Sequence, residues 1–183
     1  MTNIIIEKYI KPLNRTFINA TCNHEIEFII VGGAAVAFYG CRSADEVDDL
    51  DLMVNPTLDN EKKLICLFKT IGIDSTEVRL AGPKFRQIIV KSTFYLDILT
   101  PPTEDINFIE LLQRSQKSQV GHSEVKVISP IDLIGLIRIA LELEIDNVES
   151  EKNIEKMEKL SRDLSCLNEY TRAHHTTSCS THI

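Results

Sequence analysis

The sequence predicts an α+β fold: a mixed β-sheet with flanking helices, followed by a C-terminal helical segment. Three observations carry this. Short apolar runs bounded by turn residues alternate with helical periodicity up to residue 128, in the order strand, helix, strand, helix, hairpin. Asp49-Leu50-Asp51-Leu52 alternates acid and apolar residues strictly, as a strand buried on one face does. After Ser129-Pro130 only helical patterns follow. The expected organisation is a sheet domain with its N-terminal helix over 1–128, C-terminal helices over 129–172, and a polar, aperiodic and disordered tail over 173–183.

Each element has a local reason. Ile6, Tyr9, Ile10, Leu13 and Phe17 recur at spacings of three and four, an amphipathic helix over 3–20 that Pro12 bends. Residues 27–31 are a short apolar strand ending at Gly32-Gly33, and the small residues of 34–39 suit a helix packed tightly on a sheet, ended by Gly40. A strand over 49–54 closes at Asn55-Pro56, and a helix over 60–71 turns Leu64, Ile65, Leu67, Phe68 and Ile71 inward. Three β-like runs follow at 76–80, 85–91 and 94–99, the last two joined by a tight turn at Ser92-Thr93. A helix over 105–116 and a small hairpin or edge strand around Gly121 complete the domain.

Ser129-Pro130-Ile131-Asp132 is a strong helix start: the serine caps, proline fits the first turn, and the aspartate can reach back to free amides. The helix it opens is apolar on nearly every side and is expected to be deeply buried. A last amphipathic helix over 149–171 carries its stripe on Ile154, Met157, Leu160, Leu164 and Leu167.

Composition narrows the function. The 183 residues carry a net charge of −7 and are 43% hydrophobic, enough for a real core. Asp45, Glu46, Asp48, Asp49 and Asp51 concentrate negative charge where a bare phosphate backbone would be repelled, so binding to large duplex nucleic acid is not expected. Five scattered cysteines without a CxxC pair suggest a reduced, cytoplasmic setting. Glu7 and Lys8 interrupt Ile4-Ile5-Ile6, unlike a signal peptide, and no apolar run approaches membrane-spanning length. Cys166, His174, His175, Cys179 and His182 bunch near the C-terminus but match no zinc-knuckle spacing.

Asp49 and Asp51 point to one face, and Asp97 in Leu96-Asp97-Ile98-Leu99 repeats the arrangement on another strand. Carboxylates crowded in a partly desolvated site repel one another unless a cation lies between them, so the three read as a divalent-metal site. The bland alternative, a charged strand edge, fits poorly with Leu50, Leu52, Met53 and Val54 buried alongside. Gly32-Gly33, at a strand-to-helix turn, could bring backbone amides close to a phosphate or could simply make the turn. Arg42 could meet a triphosphate or brace the acidic loop through Asp45 or Asp48. Arg138, in an apolar helix, must reach a carboxylate or the cleft. Lys84 and Arg86 could approach phosphates but are more often merely solvated.

Together, Val31-Gly32-Gly33-Ala34-Ala35 with Arg42, Asp49-Leu50-Asp51-Leu52-Met53-Val54 and Leu96-Asp97-Ile98-Leu99 resemble the nucleotidyltransferase superfamily with a polymerase-beta-like palm. Among its members they look most like the small bacterial toxin–antitoxin and abortive-infection types. The Ser129-to-Ile134 helix start with Arg138 and Ala140 is also similar, although a lysine is more usual at position 138. The segment between Gly33 and Asp49 is longer than is common there, and no second acidic element is recognisable over 151–164.

The resemblance implies a metal-dependent nucleotidyltransferase that moves an NMP from an NTP to an acceptor hydroxyl. Asp49, Asp51 and Asp97 would be catalytic and would bind Mg²⁺ or Mn²⁺, and Gly32, Gly33 and Arg42 would bind the nucleotide. The acceptor is expected to be a protein, such as a toxin–antitoxin partner. The alternatives are transfer to tRNA or a small molecule, or a catalytically inactive binding module with the same fold.

Overall fold

The computed structural model describes residues 5–76, 78–82, 85–90, 94–145 and 151–178. Proline sets the first helix, α1 (Pro12–Asn23), at its first position, where its missing N–H costs nothing, and a short 3₁₀ turn over Ile6–Tyr9 precedes it. The predicted bend at Pro12 is thus a break between two elements. The chain then forms β1 (Phe28–Val31), α2 (Gly32–Phe38), β2 (Leu50–Val54) and α3 (Leu58–Thr70), the last capped by the Thr57 side chain accepting from Asn60 N–H. After β3 (Gln87–Val90) and β4 (Leu96–Leu99) come α4 (Phe108–Arg114), β5 (Gln116–Val120) and β6 (Ser123–Val127). Two helices, α5 (Pro130–Ile145) and α6 (Glu151–Ser178), close the chain.

The six strands make one mixed sheet in the order β3-β4-β2-β1-β6-β5. β2 is antiparallel to β1 and parallel to β4, so the two acid-bearing strands are neighbours within the sheet. Ile29, Ile30, Leu50, Leu52 and Met53 pack with Ala34, Ala35, Phe17, Leu67 and Phe68 into one core.

Several expectations are corrected. Residues 78–80 are not a strand: Leu80 and Ala81 donate their N–H groups to the Glu61 carboxylate at 2.8 and 3.1 Å instead of to a neighbouring strand. Gln116 begins a strand rather than ending a helix, because Gly121 (φ +59°) turns β5 back onto β6. α5 is not enclosed on all sides: Ile131, Arg138 and Leu143 are exposed, so Arg138 solvates its charge instead of entering an internal pair. Its start behaves as expected, Asp132 N–H donating to Ser129 Oγ, while the Asp132 carboxylate takes Ser129 and Arg114 as donors. The tail expected to be disordered from 173 is helical to Ser178. Ser92-Thr93, Lys84 and residues 149–150 and 179–183 lie outside the described residues.

α6 lies along the segment between α2 and β2. Tyr170 packs on Tyr39 with ring centroids 5.2 Å apart, Cys166 is disulfide-bonded to Cys41, and Asp163 pairs with Arg42. Lys159 Nζ then donates to Glu46 O at 3.0 Å and reaches Asp48 Oδ2 at 3.4 Å. Positions 170, 166, 163 and 159 share one helix face, so α6 runs antiparallel to residues 39–48 and meets them turn by turn. The disulfide departs from the reading of five unpaired cysteines; Cys22 and Cys66 are free thiols. Among the described residues no helix is long and apolar enough to cross a membrane.

Candidate active site

The ladder places the site. Val31 pairs with Asp51 across β1 and β2, so the residue after Val31 must turn where the Asp51 carboxylate stands. That residue is Gly32, with φ +60°; a Cβ there would lie 1.9 Å from Asp51 Oδ2. Gly33 is constrained from the other side, since a Cβ would lie 2.5 Å from Arg42 Nη1. Each glycine therefore makes room for one functional side chain. The Gly33 backbone N–H also faces the Asp51 carboxylate and helps to hold its charge.

Asp51 is in turn the register partner of Asp97 on the parallel strand β4. Asp49 lies one residue ahead of β2, on the approach to it. Burial, and after it the charges of Asp49 and Asp97, push the Asp51 carboxyl up to about 7, against the lowering pull of the Gly33 N–H and Arg42. Asp97 is buried; Gln87 Nε2 donates to its Oδ2 at 2.8 Å, while Oδ1 has no hydrogen-bond partner. Gln87, on β3, was not singled out in the sequence, where it is one polar residue in an apolar run.

Arg42 pairs with neither Asp45 nor Asp48. Its Nε and Nη2 donate to the two carboxylate oxygens of Asp163, the first at 3.4 Å, in a pair with side chains 10% and 5% exposed. Asp45 and Asp48 are exposed instead. Asp163 was missed because it lies 121 residues from Arg42, on a helix face that reads as polar. It lies within 151–164, where the sequence shows no recognisable second acidic element.

A buried carboxylate oxygen without a partner beside a second carboxylate of raised pKa is a donor set suited to a hard divalent cation. Among the described residues, no three His, Cys, Asp or Glu side chains are gathered closely enough to hold a metal ion by themselves. Mg²⁺ does not require such a cage: it takes one or two carboxylates and completes its shell with water and substrate phosphates. Of the C-terminal cysteines and histidines, Cys166 is committed to the disulfide, and Cys179 and His182 lie outside the described residues.

Two cavities adjoin the acids. One, of about 330 Å³, has Asp51, Gly32 and Gln87 on its polar side and Leu133, Leu136, Ile137, Ala140 and Leu160 on its apolar side. The other, of about 580 Å³, is lined by Asp48, Asp49, Glu144, Lys152, Lys156 and Lys159. Lys156, paired with Glu144, borders both.

This architecture is the nucleotidyltransferase fold. The crystal structure of an antigenic nucleotidyltransferase-like protein from Paracoccidioides brasiliensis aligns with a TM-score of 0.50 at 12% identity, covering 88% of this chain and 75% of that one. The solution structure of the antibiotic-resistance factor ANT(2'')-Ia aligns at 0.48 and 15% identity, covering 90% and 92%. The crystal structure of ANT(2'')-Ia in complex with adenylyl-2''-tobramycin aligns at 0.44 and 15%, covering 88% and 98%. At such identities the likeness concerns the fold. No family model and no curated protein matches the chain.

Proposed function

We propose that the protein is a divalent-metal-dependent nucleotidyltransferase that moves an NMP from an NTP to an acceptor hydroxyl and releases pyrophosphate. The observation that carries this is the register pairing of Asp51 with Asp97, with the Asp97 Oδ1 buried and unbonded and Gly32 shaped around Asp51. Asp51 and Asp97, with Asp49 at the rim, would hold Mg²⁺ or Mn²⁺. The cation, when bound, neutralises charge on the phosphates.

The chain's own residues divide the remaining work. Lys156 and Lys159 line the cavity beside Asp49 and would neutralise the polyphosphate. Arg42 would meet it from the Gly33 side. The acceptor oxygen attacks the α-phosphorus as the α–β phosphoanhydride bond breaks. Asp97, oriented by Gln87, takes the hydroxyl proton, and pyrophosphate leaves. The net charge of −7 and the acidic approach to β2 favour a protein or a cationic small acceptor over long RNA, and of these a partner protein is the acceptor we propose.

Purified protein incubated with α-labelled NTPs, Mg²⁺ and cell lysate should transfer label to a protein band, and Asp51→Asn should abolish pyrophosphate release while melting as a folded protein. Undiminished turnover by Asp51→Asn would overturn the assignment. Binding of Mg·ATP without turnover under any acceptor condition would assign the fold to a binding module instead.

A further inference from the structure

We infer that Asp163, in the C-terminal helix, is the positioning residue of Arg42, holding its guanidinium in the site at the point where a nucleotide phosphate would arrive. This rests on the nucleotidyl-transfer reading. Asp163 is 3% exposed and takes both Nε and Nη2 of Arg42. A two-pronged contact fixes the plane of the guanidinium as well as its place, which a single contact would not do. The remaining edge, Nη1, is then directed at Gly33, next to Gly32, whose missing Cβ makes room for Asp51.

The sequence around the pair supports a dedicated arrangement. Arg42 leaves α2 just past Gly40 (φ +78°), at a point where the chain has no regular structure to hold it. The adjacent residue, Cys41, is bridged to Cys166, one helical turn beyond Asp163. The helix therefore grips two consecutive residues of this turn, one covalently and one by charge. Asp163 touches neither carboxylate of the β2–β4 pair, so its influence on the site passes through Arg42.

Arg42, if so placed, binds phosphate and does not take part in proton transfer. The test is steady-state pyrophosphate release against NTP concentration for the wild type, Arg42→Ala, Asp163→Asn, Asp163→Glu and the Arg42→Ala/Asp163→Asn double variant, with melting curves for each. Asp163→Asn should raise KM for NTP by about 10- to 100-fold, the range for loss of a charge-assisted hydrogen bond. Its effect on kcat should be smaller. Asp163→Glu, which keeps the ion pair but shifts it by a methylene, should fall between wild type and Asp163→Asn.

In the Arg42→Ala background the Asp163→Asn change should add nothing, because its only route of action is gone. The double variant also serves if Asp163→Asn alone fails to fold, since it leaves no buried charge unpaired. Independent, multiplying effects of the two substitutions would overturn the inference, as would an Asp163→Glu protein with wild-type KM. A wild type that neither binds nor turns over any NTP would overturn the nucleotidyl-transfer reading itself, a result separate from additivity between active variants.

Discussion

A Cβ on residue 32 would have to share space with the Asp51 carboxylate, and residue 32 is also in the left-handed region at φ +60°. Gly72 has a similar backbone (φ +74°) with nothing near its missing side chain, so the two positions separate strain from collision. Both Gly→Ala changes should cost about 1–2 kcal/mol from the backbone alone. Gly32→Ala should cost clearly more, and equal urea midpoints for the two variants would show that the Asp51 carboxylate simply moves aside. Asp51 itself gives a pH signature. Its folded-state pKa of about 7 lies above the ordinary 3.8, so its ionisation opposes folding. Below about pH 4 both folded and unfolded chains hold the proton and there is no penalty; stability then falls as pH rises, and the full loss is present above about pH 7. In divalent-free buffer Asp51→Asn should therefore match wild type near pH 4 and melt increasingly above it toward about pH 8. Added Mg²⁺ should narrow the gap by stabilising wild type alone, and a gap independent of pH would refute the crowded-carboxylate account. These residues were legible in the sequence because alternation forces Asp51 to the face opposite Leu50 and Leu52. Their fine control was not: nothing local marks Gln87 as the donor to Asp97, because cross-strand neighbours are set by register, here the antiparallel pairing of β3 with β4.

Among the elements, α6 has the most to explain, because its contacts with residues 39–48 are made by a face that the hydrophobic pattern ignores. The pattern picked out Leu160, Leu164 and Leu167, of which Leu167 is wholly buried. The Lys159, Asp163, Cys166 and Tyr170 face carries no such signal, because no local rule pairs an aspartate with an arginine 121 residues away. The same limit produced the false strand at 76–80, whose buried Val78 and Leu80 mimic strand alternation while Glu61 takes the N–H groups of Leu80 and Ala81. The Cys41–Cys166 bridge closes a long loop, with a sequence separation of 125. Its reduction should lower stability by roughly 2–4 kcal/mol, chiefly by freeing the unfolded chain. Melting with and without dithiothreitol, together with alkylation of Cys41 and Cys166 only after reduction, measures this. Identical melting curves from the two redox states would remove the bridge from the account of stability.

At the scale of the whole molecule, the sheet order β3-β4-β2-β1-β6-β5 puts the acid-bearing strands β4 and β2 between β3 on one side and β1 with its glycine turn on the other, with α5 and Leu160 of α6 closing the cleft. The alternation of strands and helices up to α3, the Ser129 helix start and the terminal helical pair were readable from period and turn residues. The exposure of α5 was not, since an apolar helix looks the same whether it lines a core or an open cavity. The pairing of Arg42 with Asp163 also imposes an order in time. A ribosome adds roughly 5–20 residues per second, so the arginine waits on the order of ten seconds before the aspartate 121 residues later has been made. Every strand of the sheet, both glycines and all three carboxylates precede that aspartate in the chain. A nascent chain can thus present its acids to solvent while the arginine beside them has no anchor, and only translation of the last helix completes the site.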